Sequence, residues 1–491
     1  GDTYVWTGNG ADGKWMNAAN WNLNGSPAAQ APGVPYTEVT TSNKIDTISA
    51  AGQQRLGEMV EFGALTNGNT TIDLDGLYCI QQITVKAGAP AYTFGTSSNQ
   101  VLPLEAPAVL SSAGKFVLES GLENMPALAA TFGTGAAVTN QTACLEIENH
   151  ASGTLVFNDL GKIRVATADP GRTWGFTSIR LRGTGGGYRF AGAHVQGDAK
   201  YKSGLNFIIV VPKVTVASTL LDGVHDLSFH FSNANLEILE GATLEYSTLN
   251  ANRIYTELNA SITGAGTLRF RGSPTAIGTN RARIYAYTGA VLEIAAVFEM
   301  AGLYQGIEPN VNIYGDNTGA GTVLMTGVNN AKGAITFVDG NRTFKTDRPG
   351  TDGFGVCSNV NFYANGTLSA AFATAETLSK TLSVSNGCMA AIANSGTATL
   401  TVSPTVTPLG DNASVSLCVK AQTSPITLAP TLNKAVGQTV GLVIDGAEAV
   451  RPVAGGLTGF DSIRLLGGIL DVSAIANWRA ISLLLAPPAT R

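Results

Sequence analysis

The chain is poor in charge. Of its 491 residues, 30 are Lys or Arg and 35 are Asp or Glu, 13% together, about half of the share near 25% that globular proteins carry. The net charge of −5 argues against a nucleic acid partner, which needs a basic face. It argues equally against electrostatic docking on anionic lipid. Long apolar runs are missing too. The best, Phe207 to Val211, is ended by Pro212, and Ile481 to Ala486 is as short, so no stretch approaches the ~20 residues of a membrane-spanning helix. The five cysteines, Cys79, Cys144, Cys357, Cys388 and Cys418, include no C-x-x-C pair, which removes zinc-ribbon and thioredoxin-like readings. Their odd number precludes complete internal pairing. Cys79, in Leu77-Tyr-Cys-Ile80, reads as a buried small hydrophobe, and a bridge among Cys357, Cys388 and Cys418 stays open. Helical periodicity is nearly absent. Its least weak candidates are Leu368 to Leu378 and Val472 to Leu485.

What the chain has in quantity is apolar residue (44%), glycine (58 residues) and short β-type runs. Segments such as Thr154-Leu-Val-Phe157, Ser178-Ile-Arg-Leu-Arg182 and Ala242-Thr-Leu-Glu-Tyr246 alternate apolar and polar residues between Gly, Asn, Asp or Ser, the pattern of strands. Many begin alike: Gly241-Ala-Thr-Leu, Gly266-Thr-Leu, Gly289-Ala-Val-Leu, Gly321-Thr-Val-Leu, Gly366-Thr-Leu and Gly396-Thr-Ala-Thr-Leu. Their spacings of 25, 23, 32, 45 and 30 residues describe a degenerate solenoid period. Gly175-Phe-Thr-Ser-Ile-Arg-Leu-Arg-Gly183 also echoes Gly459-Phe-Asp-Ser-Ile-Arg-Leu-Leu-Gly467. Each pass of such a chain has an apolar face it cannot bury alone. Stacking passes about 4.8 Å apart joins those faces into one core and pairs the backbone. The expected fold is therefore all-β, a parallel β-helix of on the order of 15–20 coils, with like residues, Asn or Cys among them, stacked in ladders. A tandem of β-sandwiches is the competing architecture.

Three of the five tryptophans, Trp6, Trp15 and Trp21, fall within the first 21 residues. A solenoid must cover the apolar section and open edges of its first coil, so an aromatic cap is expected there, with a sugar-stacking platform as the alternative. The division that follows is a cap and entry loop over 1–50, a solenoid over 51–440, and C-terminal coils and tail over 441–491. The pattern Trp6-Thr-Gly-Asn-Gly10, Trp15, Asn17-Ala-Ala-Asn-Trp21, then Pro32-Gly-Val-Pro35, Val60-Glu-Phe-Gly63, Thr71-Ile-Asp-Leu-Asp-Gly76 and Tyr92-Thr-Phe-Gly95 resembles the start of secreted bacterial autotransporter-associated β-strand repeat proteins. That resemblance implies a right-handed parallel β-helix, outside the cell or at its surface, with a structural or adhesive role. Residue 1 is Gly, not Met, so the expectation is a chain trimmed by removal of a signal peptide or for expression. The chain lacks the family's strong repeat G-x-L-x-L-x-G-x-N-T-Y-T-G.

Candidate chemistry is sparse. Asp226, Ser228 and His230 share a strand face, but Asp226 and His230 would lie roughly 13 Å apart along it, too far for a triad. His225 points to the opposite face. Asp73 and Asp75 share a face and could meet Ca²⁺, but lack further ligands. Glu237 and Glu240 face apart. Gly183-Thr-Gly-Gly-Gly187 has no Lys-Ser/Thr after it and reads as a tight turn. No catalytic residue, metal ligand or cofactor is assigned. Sequons at Asn24, Asn69, Asn140, Asn259, Asn341, Asn365 and Asn412 are candidate N-glycosylation sites. The expectation is an extracellular, non-enzymatic structural subunit that forms a homo-oligomer or homopolymer, with Ile481, Leu483 and Leu485 as candidate subunit contacts. An adhesin binding surface glycans and a polysaccharide lyase or hydrolase are the alternatives.

Overall fold

The computed structural model describes residues 1–37, 47–48, 55, 57–76, 78–97, 100, 102–105, 114–122, 124–126, 128–131, 143–158, 163–165, 176–191, 204–209, 214–216, 220–221, 227–231, 234–247, 253–256, 258–272, 281–301, 310–315, 319–476 and 483–485. It is a parallel β-solenoid. The chain forms two compact units, Gly1–Asn250 and Ala251–Arg491.

In the first unit one ladder takes up a strand from each coil in turn: Thr3–Trp6, Met59–Phe62, Gln82–Val85, Gly114–Leu118, Ala143–Asn149, Phe176–Arg182, Gly204–Ile209 and Leu227–Phe231, all parallel. A second ladder runs through Leu155–Phe157, Tyr188–Phe190, Val214–Val216 and Asn235–Ile238, and a third through Leu102–Glu105, Leu128–Thr131 and Ile163–Val165. The second unit repeats the plan. Its first ladder is Arg253–Thr256, Arg281–Ala286, Asn310–Tyr314, Ile335–Phe337, Asn359–Phe362, Thr381–Ser385, Thr405–Leu409 and Thr431–Leu432. Its second runs from Ala260–Thr263 to Leu483–Leu485.

Alternation decides what faces in. In the second ladder of the second unit Leu292, Val323, Phe344, Leu368, Ile392, Val419 and Ile444 stand one above another, each fully buried. In the first ladder Phe337 stacks on Phe362 at 5.0 Å. The parallel register supplies this order, because each residue's neighbour on the next coil is its counterpart.

The recurrent glycine-led starts do not mark one phase of the coil. Those after Gly289, Gly321 and Gly366 enter the second ladder, whereas the strand after Gly266, Thr267–Arg271, pairs with Val297–Ala301 in another. The long interval of 45 residues holds two coils, since Thr322 pairs with Thr343 and Thr343 with Thr367. The strand Arg342–Thr346 between them follows Gly340-Asn341, without the Ala or Thr of the other starts. Likewise Phe176–Arg182 lies in a first ladder and Ser462–Leu465 in a second, so their echo is one of strand chemistry, not of position. The helix candidate at Leu368 to Leu378 is overturned. Residues 368–378 fall into the strands Gly366–Ala370 and Glu376–Leu378, because alternation buries Leu368 and Ala370 inward. The described part of 472–485 contains the strand Leu483–Leu485. Among the described residues no helix is long and apolar enough to cross a membrane.

Corners are built from asparagine and glycine. Asn149, Asn329 and Asn394 are all buried, at 2%, 3% and 1% exposure. Each accepts the N–H two residues on, from Ala151, Ala331 and Gly396. Each also donates Nδ2 to a carbonyl of an adjacent coil: Gly187, Gly353, and both Ser424 and Pro425. One side chain thus closes its own turn and satisfies the turn stacked against it. The run Gly183 to Gly187 is such a corner. A Cβ on Gly185 would sit 2.0 Å from the Ala151 carbonyl oxygen, so only glycine lets the coils approach this closely.

Asn394→Ala leaves the Gly396 N–H and the carbonyls of Ala398, Ser424 and Pro425 without this partner in a dry corner. Each buried group so orphaned costs about 1–3 kcal/mol. The urea midpoint should fall accordingly, while the half-buried Asn365→Ala costs less than about 1 kcal/mol. Equal midpoints for the two variants would refute the account.

Candidate functional site

The N-terminal tryptophans form a closed cluster. Trp6, Trp15 and Trp21 are 1%, 2% and 0% exposed. Trp21 meets Trp6 edge-on at 5.0 Å and Trp15 at 4.8 Å, and all three surround Phe62 at 5.7–6.0 Å. Each indole N–H is satisfied: Trp6 by Asn69 O, Trp15 by Pro32 O, Trp21 by Trp15 O. The two asparagines of the motif set the turn. Asn17 accepts from Ala19 N and Asn20 from Gly10 N, while both donate to Asp12. These bonds hold the Asp12 carboxyl below its ordinary range, the Lys14 N–H foremost. The strand Trp21–Leu23 pairs antiparallel with Thr3–Trp6, and Ser26–Pro27 pairs with it in turn. The edge of the first parallel strand is thereby covered. Buried indoles offer no face to a sugar, so this is the expected cap and not a stacking platform.

A dense group of charges lies on the outward side of the first unit's first ladder, and no sequence motif announces it. Register sets Lys115 beside Glu146 and Glu146 beside Arg180. Glu146 is 2% exposed and lies within 3.2 Å of Lys115 Nζ, 3.1 Å of Arg180 Nη1 and 3.6 Å of Arg182 Nη1. Glu148 meets Lys115 at 3.4 Å and His150 Nε2 at 3.0 Å. A hydrogen bond with the Glu146 carboxyl, then those with His150 and Lys115, hold Glu148 down at about 2 against the opposing pull of burial. Burial works against the Lys115 charge too, but Glu146 and Glu148 outweigh it and raise that amine. A glycosidase pair needs an open gap between its carboxyls, about 5–5.5 Å or wider, for the sugar. Here Glu146 is enclosed by three cations of its own chain. The arrangement ties three coils together.

The second unit's first ladder has a different outer face. Its strands Ile335–Phe337, Asn359–Phe362, Thr381–Ser385, Thr405–Leu409 and Thr431–Leu432 contain no charged residue. Thr336, Asn361, Ser383 and Thr407 form one column on the side away from the core, with Thr336 and Asn361 covered at 1% and 8% exposure and Ser383 and Thr407 partly exposed, and Asn359, Thr381, Thr405 and Thr431 form another. Neighbours bond along and across: Asn361 Nδ2 to Thr336, Asn359 Nδ2 to Asn361 Oδ1, Ser383 to Asn359 Oδ1. Two flanking lysines are engaged, Lys380 on the carbonyls of Gly355 and Cys357 and Lys434 on Asp461 at 2.8 Å; Lys332, before Ile335, is exposed. Earlier in the same ladder Tyr255, Tyr285 and Tyr314 stack at 4.7 Å per step.

The other singled-out residues are dispersed. Asp73 accepts from Gln100 and Thr96 and so holds the turn after Phe94, and Asp75 accepts from Met16 N and holds the N-terminal loop. Among the described residues no group of three or more His, Cys, Asp or Glu is placed to hold a metal ion. Glu237 lies in the strand Asn235–Ile238 and Glu240 in the turn beyond it. His225 and Asp226 lie outside the described residues, and Ser228 and His230 belong to the strand Leu227–Phe231. Cys357, Cys388 and Cys418 are free thiols, so no bridge joins them. Cys418 packs as a small hydrophobe between Ala391 and Val443. Of the sequons, Asn24, Asn259, Asn341 and Asn412 are exposed. Asn365 accepts from Met389 N, Asn69 donates its Nδ2 to Gly8 O, and Asn140 lies outside the described residues. Leu483 and Leu485 extend this chain's own ladder above Ile463 and Leu465, and Ile481 is outside the described residues.

No family model, curated protein or solved structure matches the chain.

Glu148 supplies a pH test. Its carboxyl is depressed when folded, so its contribution is complete above the ordinary value of 4.5 and is lost as pH falls towards about 2. Unfolding by urea at stepped pH should show Glu148→Gln with a smaller loss of stability than the parent across that window. Identical pH profiles would show that the strip does not act as described.

Proposed function

We propose that the chain is an extracellular, non-catalytic structural subunit whose solenoid associates with further copies of itself into a surface filament or layer. The observation that carries this reading is the uncharged outer side of the second unit's first ladder, partly exposed from Asn359 to Thr431 and at Ser383 and Thr407. Packing two charged faces strips water from ions at a cost their pairing does not always return. A face of Thr, Ser and Asn avoids that cost. Its short side chains, already bonded to one another, lose little freedom on contact, whereas a surface Lys or Glu loses up to about 2 kcal/mol of rotamer entropy. The spare, weak charge of the chain at large suits the same end, and the N-terminal resemblance points the same way.

Sedimentation and negative-stain electron microscopy across protein concentration test it. The parent should form regular assemblies. Ser383→Lys with Thr407→Lys, which places two like charges in one outward column, should leave single subunits of unchanged circular dichroism. A parent that stays single at every concentration would overturn the reading and turn attention to glycan binding.

A further inference from the structure

The tyrosine column is the feature with chemistry still unassigned. Tyr255, Tyr285 and Tyr314 stand on successive coils in strict register. Their rings stack at 4.7 Å, with planes 29° apart for the first pair and 11° for the second. They are outward-facing and half-buried, unlike the enclosed Phe337 and Phe362 of the inward column. Asn312 donates its Nδ2 to the Tyr314 hydroxyl oxygen at 3.3 Å, which leaves the phenolic hydrogen pointing elsewhere. Because the rings face one another, their edges and hydroxyls, not their faces, line the surface. That disfavours sugar stacking, which uses a ring face. It favours reaction between the rings themselves.

We infer that Tyr285 and Tyr314, and after them Tyr255, are a site of oxidative phenol coupling. A peroxidase-class oxidant joins them into dityrosine, which staples neighbouring coils. Each phenol gives up one electron and one proton. The two phenoxyl radicals combine through the ring carbons ortho to oxygen, one C–C bond forms, and the displaced ring hydrogens return to the two oxygens as the phenols re-form. One hydrogen peroxide takes up the two electrons and two protons and leaves as two waters. The backbone holds the second phenol beside the first, so the coupling is intramolecular and gains from proximity. Outward placement gives the rings room to close from stacking distance. Tyr287 meets Tyr255 edge-on at 6.2 Å and is poorly placed to couple. Tyr363 is 54% exposed, but the register sets it between Val338 and Ser385, so it has no phenol above or below. The inference does not depend on assembly.

The test uses the full chain, dilute, with a haem peroxidase and limiting hydrogen peroxide. A glutamate-specific protease cuts after Glu257, Glu293 and Glu299 and so separates the three tyrosines. Mass spectrometry should find the Tyr285 and Tyr314 peptides joined with the loss of two hydrogens, in the monomeric fraction, with dityrosine fluorescence. Fragmentation should place the link on Tyr285. Tyr285→Phe, which keeps the stacked ring, should reduce the joined product to background, and Tyr363→Phe should leave it unchanged. If Tyr285→Phe alters the circular dichroism, Tyr314→Phe serves instead. Links confined to Tyr287, to Tyr363 or to pairs of chains would overturn the inference, as would full yield in Tyr285→Phe.

Discussion

Parallel in-register pairing between successive coils is the constraint on which the rest depends. No strand in either unit can satisfy its backbone alone. Its N–H and C=O groups reach only the strands before and after it, about 4.8 Å away. Once that pairing is fixed, side chains are no longer independent, because each lies on its counterpart one coil on. A column of like charges would therefore be penalised at every step. The first unit avoids this by alternating sign, Lys115 to Glu146 to Arg180. The second unit sets Arg253 beside Arg283 at the start of its first ladder, but leaves out charge over the five consecutive strands that end it. Both answer the same constraint, but with different consequences. The first ties its own coils together, and the second presents a surface that another body can approach without desolvating ions.

The corners absorb what the ladders cannot. Coil length varies: Thr322 to Thr343 spans 21 residues, whereas Ser261 to Glu293 spans 32. Strict pairing survives because the extra residues leave at turns. There a buried asparagine such as Asn394 supplies the missing donors and acceptors, and a glycine such as Gly185 removes the Cβ that would strike the neighbouring coil. Irregular loops and regular ladders are therefore compatible within one solenoid.

This division explains what the amino-acid order reveals and what it hides. Alternation inside a strand is local, so the all-β class and strands such as Thr322–Met325 are legible directly. The cap is legible because its residues, from Trp6 to Trp21, are close in sequence and its polar frame of Asp12, Asn17 and Asn20 is a compact motif. The phase between coils is not legible. It depends on turn lengths that vary by more than ten residues, and glycine-led starts occur at more than one face. The ionic strip is hidden for the same reason: Lys115, Glu146 and Arg180 are 31 and 34 residues apart, with nothing local to link them. The Ala-rich stretch near Leu368 suggested a helix because small residues suit both periodicities. The ladder decided otherwise, since a strand there continues the inward column from Phe344 to Ile392.

Chemistry in such a fold belongs to columns before it belongs to residues. A lone outward tyrosine is a partly wetted ring, but three in register are a stack whose spacing the backbone imposes. A lone threonine is an ordinary surface residue, but the aligned residues from Asn359 to Thr431 and from Ser383 to Thr407 make a neutral strip. Glu146 on an isolated strand would be an exposed carboxylate. Between Lys115 and Arg180 it is 2% exposed and enclosed by cations. Substituting one member changes the surroundings of the members above and below it, so effects within a column should be coupled, while those in separate columns should add. Energetic coupling between residues in this chain therefore follows the axis of stacking.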